Sequence, residues 1–242
     1  MNRLRNKTAV VIGATGDVGS AIAHELAKEG ANLVLAARKI ETLAPIANQL
    51  EHVGPGKKIA IQTDSTNLLQ VENLSKRTNE IFGGADILIT SVGKWVRVKA
   101  TDKAGTFVEQ LRIDLESFCV AAAIPHFVFN QEFAKKKKGL GVDISSHAAK
   151  NILPGNLTYG TAKAGAQMFL NNLRAETKKD GVKILQIISQ LIDTPTNRKA
   201  FPNIKKGDWK KTVQIKDIVQ AIIKAHEAKT CKSVFLKSGI II

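Results

Sequence analysis

The chain is predicted to be a single α/β domain over residues 1–242, with one parallel sheet of about seven strands and helices on both faces. Three observations predict it. Short apolar runs bounded by turn residues recur along the chain, segments with helical spacing of apolar residues separate them, and glycines stand where those helices should stop. A strand buried on both faces reads as a nearly continuous apolar run, and a β-α-β-α rhythm joins parallel neighbours through crossover helices.

The strands are read at 8–12, 32–36, 58–61, 86–90, 141–144, 182–188 and 233–236. Ala21, Ile22, Leu26 and Ala27 share one face of the first helix, and Leu69, Val71, Leu74 and Ile81 mark the helix after the third strand. The stretch from about Phe107 to Lys136 is one long helix or a pair, and further helices cover 158–179 and 215–228. Gly30, Gly84, Gly139 and Gly181 are expected to end helices. Segment 193–210 holds Pro195, Pro202 and Gly207 and has little periodicity, so it is expected to form a lid over a site. No repeat, low-complexity tract or linker divides the chain.

The formal charge is +15. The lysines behind it are spread through every segment, and aromatics, 5% of the chain, do not alternate with basic residues as a base-stacking surface requires. A solvated basic surface that attracts anionic ligands is expected, without specific nucleic-acid binding. No run approaches the roughly 18 apolar residues of a membrane span. The first seven residues lead directly into a short apolar strand with no secretory signal pattern, so a cytoplasmic protein is expected. Cys119 and Cys231 have no metal-ligand spacing and read as two reduced thiols, and no metal site is expected.

The first strand runs into Gly13-Ala14-Thr15-Gly16-Asp17-Val18-Gly19, and a helix follows. Glycines on a strand-turn-helix let the chain turn tightly and let backbone N–H groups approach a pyrophosphate, while the helix N-terminus adds its positive dipole. Asp17 is unusual beside an anion; as a helix-start residue it suits the dipole, and it is expected to face away from the phosphates. The second strand ends Ala36-Ala37-Arg38-Lys39, with no acid for the ribose hydroxyls and with an arginine fork able to hold a 2′-phosphate. The cofactor is therefore read as NADP(H) in preference to NAD(H). Asp64, with Ser65 beside it, follows the third strand and is placed to accept from an adenine amino group; its alternative role is to cap the next helix.

Tyr159 is the only tyrosine, four residues before Lys163 on a predicted helix. Residues four apart share a helix face, and an ammonium beside a phenol favours the ionised phenol. Tyr159 is thus a candidate to exchange the alcohol proton, with Lys163 beside it also able to donate to ribose hydroxyls. Ser146 ends the fifth strand, where catalytic groups of open α/β sheets gather, and can hydrogen-bond the reacting carbonyl oxygen. His147, beside it, reads as a pocket wall.

With these residues assembled, the chain resembles the short-chain dehydrogenase/reductase family over nearly its full length. The likeness is carried by Gly13, Gly16 and Gly19, Asp64, Asp86-Ile87-Leu88-Ile89, Ser146, Tyr159-x-x-x-Lys163 and Ile192-Asp193-Thr194, with a thirteen-residue step from Ser146 to Tyr159. It implies a Rossmann-type doubly wound sheet, NAD(P) binding, carbonyl–alcohol redox on a small molecule, contact of Thr194 (with Ile192 beside it) to the nicotinamide carboxamide, and a homodimer or homotetramer.

Four departures from the family pattern stand out. Asp17 fills a usual glycine slot. Thr90-Ser91-Val92-Gly93 replaces Asn-Asn-Ala-Gly, with Gly93 keeping the close approach to the cofactor. Asp114 stands where a relay asparagine is usual and is counted as a catalytic candidate, a carboxylate expected to hold Lys163 charged. Ser189-Gln190 replaces Pro-Gly, and the usual glycine pair near the C-terminus is missing; the apolar end Ile240-Ile241-Ile242 is expected to pack on a neighbour or beside the last strand. These changes leave one alternative open, a catalytically weak NADP(H)-binding regulator. Trp95, Leu153, Leu191, Phe201 and Trp209 are expected to give the pocket apolar surface, and Lys94, Arg97 and Lys99 to face an acidic or phosphorylated substrate.

Overall fold

A computed structural model describes residues 2–231 and 233–239; the expectation for Ile240-Ile241-Ile242 lies outside them. Seven strands form one sheet in the order β3-β2-β1-β4-β5-β6-β7, parallel throughout. They are β1 (Thr8–Ile12), β2 (Asn32–Ala37), β3 (Lys58–Gln62), β4 (Ile87–Thr90), β5 (Gly139–Ser146), β6 (Val182–Ser189) and β7 (Val234–Leu236). The helices are α1 (Asp17–Lys28), α2 (Ile40–Leu50), α3 (Leu68–Phe82), α4 (Ala104–Asp114), α5 (Ala121–Lys135), α6 (Leu157–Thr177), α7 (Pro195–Ala200) and α8 (Ile215–Glu227). This is the doubly wound fold the sequence predicts.

Strand alternation builds two cores. Ala9 and Val11 of β1 face one side, where Ile22 and Leu26 of α1, Leu43 of α2, and Ile218, Ile222 and Ile223 of α8 cover them. Val10 and Ile12 face the other, under Val71 and Leu74 of α3, Phe129 and Phe133 of α5, and Leu170 of α6.

The structure moves three predicted boundaries. The left-handed residue ending α3 is Gly83, not Gly84, because its N–H reaches back to the Asn79 carbonyl. Gly139 opens β5 instead of ending a helix: a Cβ there would lie 2.1 Å from the Phe133 ring, so it is glycine for packing. The turn before it is made by Lys137 at φ 50°. The long predicted helix is α4 and α5 joined by a π-helical segment at Leu115–Val120.

One polar row crosses the α5–α6 side of the sheet. Thr90, Asp143 and Gln186 stand side by side in register on β4, β5 and β6, all nearly inaccessible. The Thr90 hydroxyl donates to Asp143 Oδ1 at 2.9 Å and lies 3.1 Å from His126 Nε2, which makes Nε2 the protonated nitrogen of that ring. Gly141 leaves the ring its room, since a Cβ there would approach His126 Nδ1 to 2.7 Å. Burial pushes the His126 imidazole down to about 4, with the Asp143 charge pulling the other way.

A histidine held neutral in the fold and titrating normally when unfolded stabilises fully above its unfolded pKa of about 6.5, and that stabilisation declines as pH falls to about 4. At 1.36 kcal/mol per unit this is about 3 kcal/mol. Urea unfolding at pH 7 and pH 4.5 checks it: His126→Gln should lose about 2 kcal/mol less than the parent on acidification. An equal loss in both proteins removes His126 from the acid response.

Candidate active site

The carboxyl end of β1 makes the first part of the site. Gly13 adopts φ +82°, and a Cβ on it would sit 2.1 Å from the Ser91 carbonyl oxygen. A Cβ on Gly19 would sit 2.2 Å from the Gly13 oxygen. Both are therefore glycines for packing. Gly16 is different: it is exposed, at φ −79°, and a Cβ there meets nothing closer than 3.4 Å. Gly16 also precedes α1 as an N-cap with no side-chain bond, so among the described residues no side chain caps the first-turn N–H groups at Asp17 and Val18. A turn open on its outer side above free helix donors fits an anionic group. Thr15 is exposed beside it. The Asp17 side chain has a partner of its own: its Oδ2 accepts from the Thr196 backbone N–H at 2.8 Å.

Along the same edge, Arg38 is exposed after β2, with Ala36 and Ala37 buried before it. Asp64 is not the cap of α3. Asn67 caps that helix by accepting from Gln70 N–H, while Asp64 Oδ1 accepts from the Thr66 N–H at 3.0 Å and hydroxyl at 2.8 Å. Ser65 is buried beneath this turn. Gly93, after β4, is exposed at φ +90°, and a Cβ on it would run into the Phe118 ring.

The chemical end lies between β5 and α6. Ser146 Oγ accepts from Ala148 N–H at 3.2 Å, capping a single 3₁₀ turn, His147–Ala149, and its own O–H stays available to donate. The α6 helix approaches that turn closely at Gly160, where a Cβ would lie 3.1 Å from the Ala148 oxygen. This brings the turn carrying Tyr159 against the turn capped by Ser146. Lys163 is buried, with its ammonium donating to the Ile144 carbonyl at 2.8 Å. The Tyr159 hydroxyl has no hydrogen-bond partner among the described residues.

One residue that sequence reasoning missed ties these parts together. The Phe118 ring stands edge-on to Tyr159, with centroids 4.9 Å apart. The Lys163 ammonium lies 5.0 Å from its centroid. The same ring closes on Gly93. Phe118 sits in the π-helical segment, where residue spacing departs from 3.6, so helical periodicity could not have placed it. Asp114 directly precedes that segment and is fully buried; Oδ1 accepts from Gln110 at 2.8 Å and Oδ2 has no partner. The expected ion pair to Lys163 is not formed among the described residues; the hydrogen-bond partner of its ammonium is the Ile144 carbonyl.

Segment 193–210, expected to form a lid, holds more regular structure than its sequence suggests. Thr194, buried, caps α7 by accepting from Asn197 N–H at 3.1 Å, and Ile192 bridges to Val213. Trp209 is 4% exposed and Leu191 likewise, so neither offers the expected pocket surface; Arg198 lies over the Trp209 ring at 5.6 Å. Trp95 does reach the lid, stacking on Phe201 with centroids 6.3 Å apart and donating to Asn156 Oδ1 at 2.8 Å. Loops after β4, β5 and β6 thus meet over the site. His147 packs edge-on against Phe235 of β7, with ring centroids 5.6 Å apart. Ser189 donates to the Ser145 carbonyl at 3.3 Å, and Gln190 Oε1 accepts from Ser238 N–H, giving both unusual residues structural partners.

Among the described residues no group of His, Cys, Asp or Glu is placed to hold a metal, and no helix is long and apolar enough to cross a membrane. Both cysteines are free and partly buried, and burial raises both thiols.

Residues 7–205 match the family model for short chain dehydrogenases. The chain belongs to the short-chain dehydrogenase family. An uncharacterized oxidoreductase of Staphylococcus aureus strain MW2 is 31% identical over 228 residues, covering 93% of each chain. The fold of the short-chain dehydrogenase also matches L-sorbose reductase from Gluconobacter frateurii, solved with NADPH and L-sorbose, at TM-score 0.82 and 23% identity over 99% of this chain and 98% of that one. It matches 7α-hydroxysteroid dehydrogenase, solved with NADH and 7-oxo glycochenodeoxycholic acid, at TM-score 0.80 and 19% identity, over 96% and 94%. Such a sheet binds a nicotinamide cofactor, and these two structures hold different ones.

The contact of Gly93 with Phe118 is testable by a double-mutant cycle on unfolding. Gly93→Ala forces a methyl into the ring, and Phe118→Leu makes room for it. The pair should be less destabilised than the two single variants together, with a coupling of about 1 kcal/mol or more. Strict additivity means the ring does not press on this turn.

Proposed function

We propose that this short-chain dehydrogenase interconverts a carbonyl and an alcohol with NADP(H), using Tyr159 as general acid/base. The observation that carries the reading is the shared Phe118 wall, which ranks Tyr159 and Lys163 side by side one turn away from Ser146. The open glycine turn and uncapped α1 would hold the diphosphate; Arg38, with no acid beside it on β2, would hold the 2′-phosphate; Asp64 and Ser65 the adenine side; and Gly93, Ile192 and Thr194 the nicotinamide side. When bound, the nicotinamide supplies or takes up the hydride.

In reduction, Ser146 O–H donates to the substrate's carbonyl oxygen and orients it. Tyr159 gives its proton to that oxygen as the alcohol forms. Lys163, fixed on the Ile144 carbonyl, has its side-chain nitrogen on the same Phe118 ring as the tyrosinate that remains. The free, buried Asp114 Oδ2 is suited to anchor a water that returns the proton to this group.

NADPH oxidation against a carbonyl panel tests the chemistry. Tyr159→Phe should lower kcat by about 10²-fold or more while NADPH binding, followed by nicotinamide fluorescence, persists. Unchanged turnover in that variant sinks the assignment, and binding without turnover in the parent favours the regulatory alternative. Arg38→Asp should weaken NADPH relative to NADH by about tenfold or more, since it replaces a charge-assisted contact with repulsion.

The substrate is proposed to be anionic. The three loops that meet over the site, 94–103, 147–153 and 193–211, carry eleven Lys and Arg against three Asp and Glu, a net +8 of the chain's +15. Arg198 is paired with Asp193 and Lys211 with Asp208, while Lys94, Arg97, Lys99, Lys150, Lys199, Lys205 and Lys206 are exposed without such pairing among the described residues. Such a rim raises the local concentration of anions and loses that effect to salt. At saturating NADPH, kcat/KM for a carboxylated carbonyl should fall about tenfold between roughly 20 and 500 mM salt, against less than about twofold for a neutral analogue. Equal salt dependence refutes the anionic class.

The proposal includes a homodimer or homotetramer. What supports it is apolar surface left on the α4–α6 side, at Phe107, Ile113, Phe127 and Met168, each at least 36% exposed. A monomeric mass by light scattering would remove this part.

A further inference from the structure

We infer that Asp17 is a positioning residue that ties the lid to the nucleotide turn; this rests on the proposed reading of that turn as the diphosphate seat. The link is the Thr196 N–H donating to Asp17 Oδ2 at 2.8 Å, across 179 residues of chain. Its surroundings make it matter. The other hydrogen bonds made by α7 are local: Thr194 caps Asn197, Asn197 Nδ2 donates to the Ile192 carbonyl, and Arg198 forms a two-point pair with Asp193, while the two ends of the segment are tied by the Asp193 N–H to the Val213 carbonyl and by the Gly239 N–H to the Lys211 carbonyl. Among the described residues, the Asp17 bond is the one hydrogen bond from α7 to an element outside the lid and its base. The other restraint across the cleft, Trp95 against Phe201, holds the far end of α7 and is a ring contact at 6.3 Å with no donor or acceptor.

Asp17 is therefore the near anchor of a helix that starts at Pro195, immediately after Thr194. Its backbone belongs to the turn that receives the cofactor's phosphates, and its carboxylate restrains the segment that covers the substrate. A glycine at this position would keep the turn and lose the anchor. A carboxylate at the first position of α1 is also favourable to the helix dipole, so the chain carries the charge there at little cost to α1 itself.

The lid is rich in tryptic sites at Arg198, Lys199, Lys205, Lys206, Lys210 and Lys211, so its opening can be read without any enzymatic assay. Limited trypsinolysis of the full chain, without added ligand, should cut the lid about tenfold faster in Asp17→Ala than in the parent, the loss expected for one charge-assisted bond. Asp17→Asn keeps an oxygen that accepts from Thr196 N–H and should retain most of the protection. Cleavage elsewhere in the chain serves as the control for general destabilisation. With a turned-over carbonyl, Asp17→Ala should raise KM relative to Asp17→Asn about tenfold with kcat changed less than about threefold. Equal lid cleavage in Asp17→Ala and the parent overturns the inference, as does Asn behaving like Ala. Because trypsinolysis needs no turnover, its result stands apart from the fate of the proposed oxidoreductase activity.

Discussion

Every strand in the sheet points the same way, and the rest of the molecule follows from that constraint. Parallel strands put their carboxyl ends on one edge, so the segments after β1, β2, β4, β5 and β6 become neighbours although nearly two hundred residues separate the first from the last. Register makes this specific. Ile12 pairs with Thr90, Thr90 with Asp143, and Ser146 with Ser189, which levels the strand ends. The turn after β1 can then lie directly on the turn after β4, but only because Gly13 has no Cβ to meet the Ser91 oxygen. Backbone contact of this kind leaves no slack, and the glycine turn after β1 and the Gly93 turn are held as one piece.

The second organising contact is the Phe118 ring. A π-helical segment is a poor way to make a helix, with its looser hydrogen bonding, and such segments concentrate at functional sites. Here it lies between Asp114 and α5 and delivers one aromatic side chain to three groups at once: Gly93, Tyr159 and Lys163. The same interruption leaves the buried Asp114 with an unbonded Oδ2. The segment thus brings two residues to the site, Phe118 as a wall and Asp114, just before it, as a free acceptor.

Charge is distributed with similar effect. The +15 of the chain looks diffuse in sequence because its lysines occur in every segment. Folding gathers a large share of it around one opening, since the three loops that border the site come from distant stretches. The acidic residues in those loops are mostly used locally, Asp193 on Arg198, Asp208 on Lys211 and Asp102 on the Lys99 N–H. What remains at the rim is positive.

By itself the sequence determined the strand count, the parallel order of events along the chain, and the residue types of both ends of the site, because buried strands, glycine turns and an i, i+4 Tyr–Lys pair are local patterns that a single chain displays. It also placed Ser146 at its strand end and Tyr159 near the start of its helix. Only the tertiary structure decided how those residues are held. Lys163 turned out to be fixed on the Ile144 carbonyl and not on Asp114, Asp64 to be bonded to Thr66 and not to cap α3, and Trp209 to be buried and not to line a pocket. Asp17 found its partner in the lid, 179 residues away. The Lys163, Trp209 and Asp17 outcomes depend on the distance between segments far apart in the chain, which sequence spacing does not contain, and the Asp64 bond depends on the conformation of its own turn.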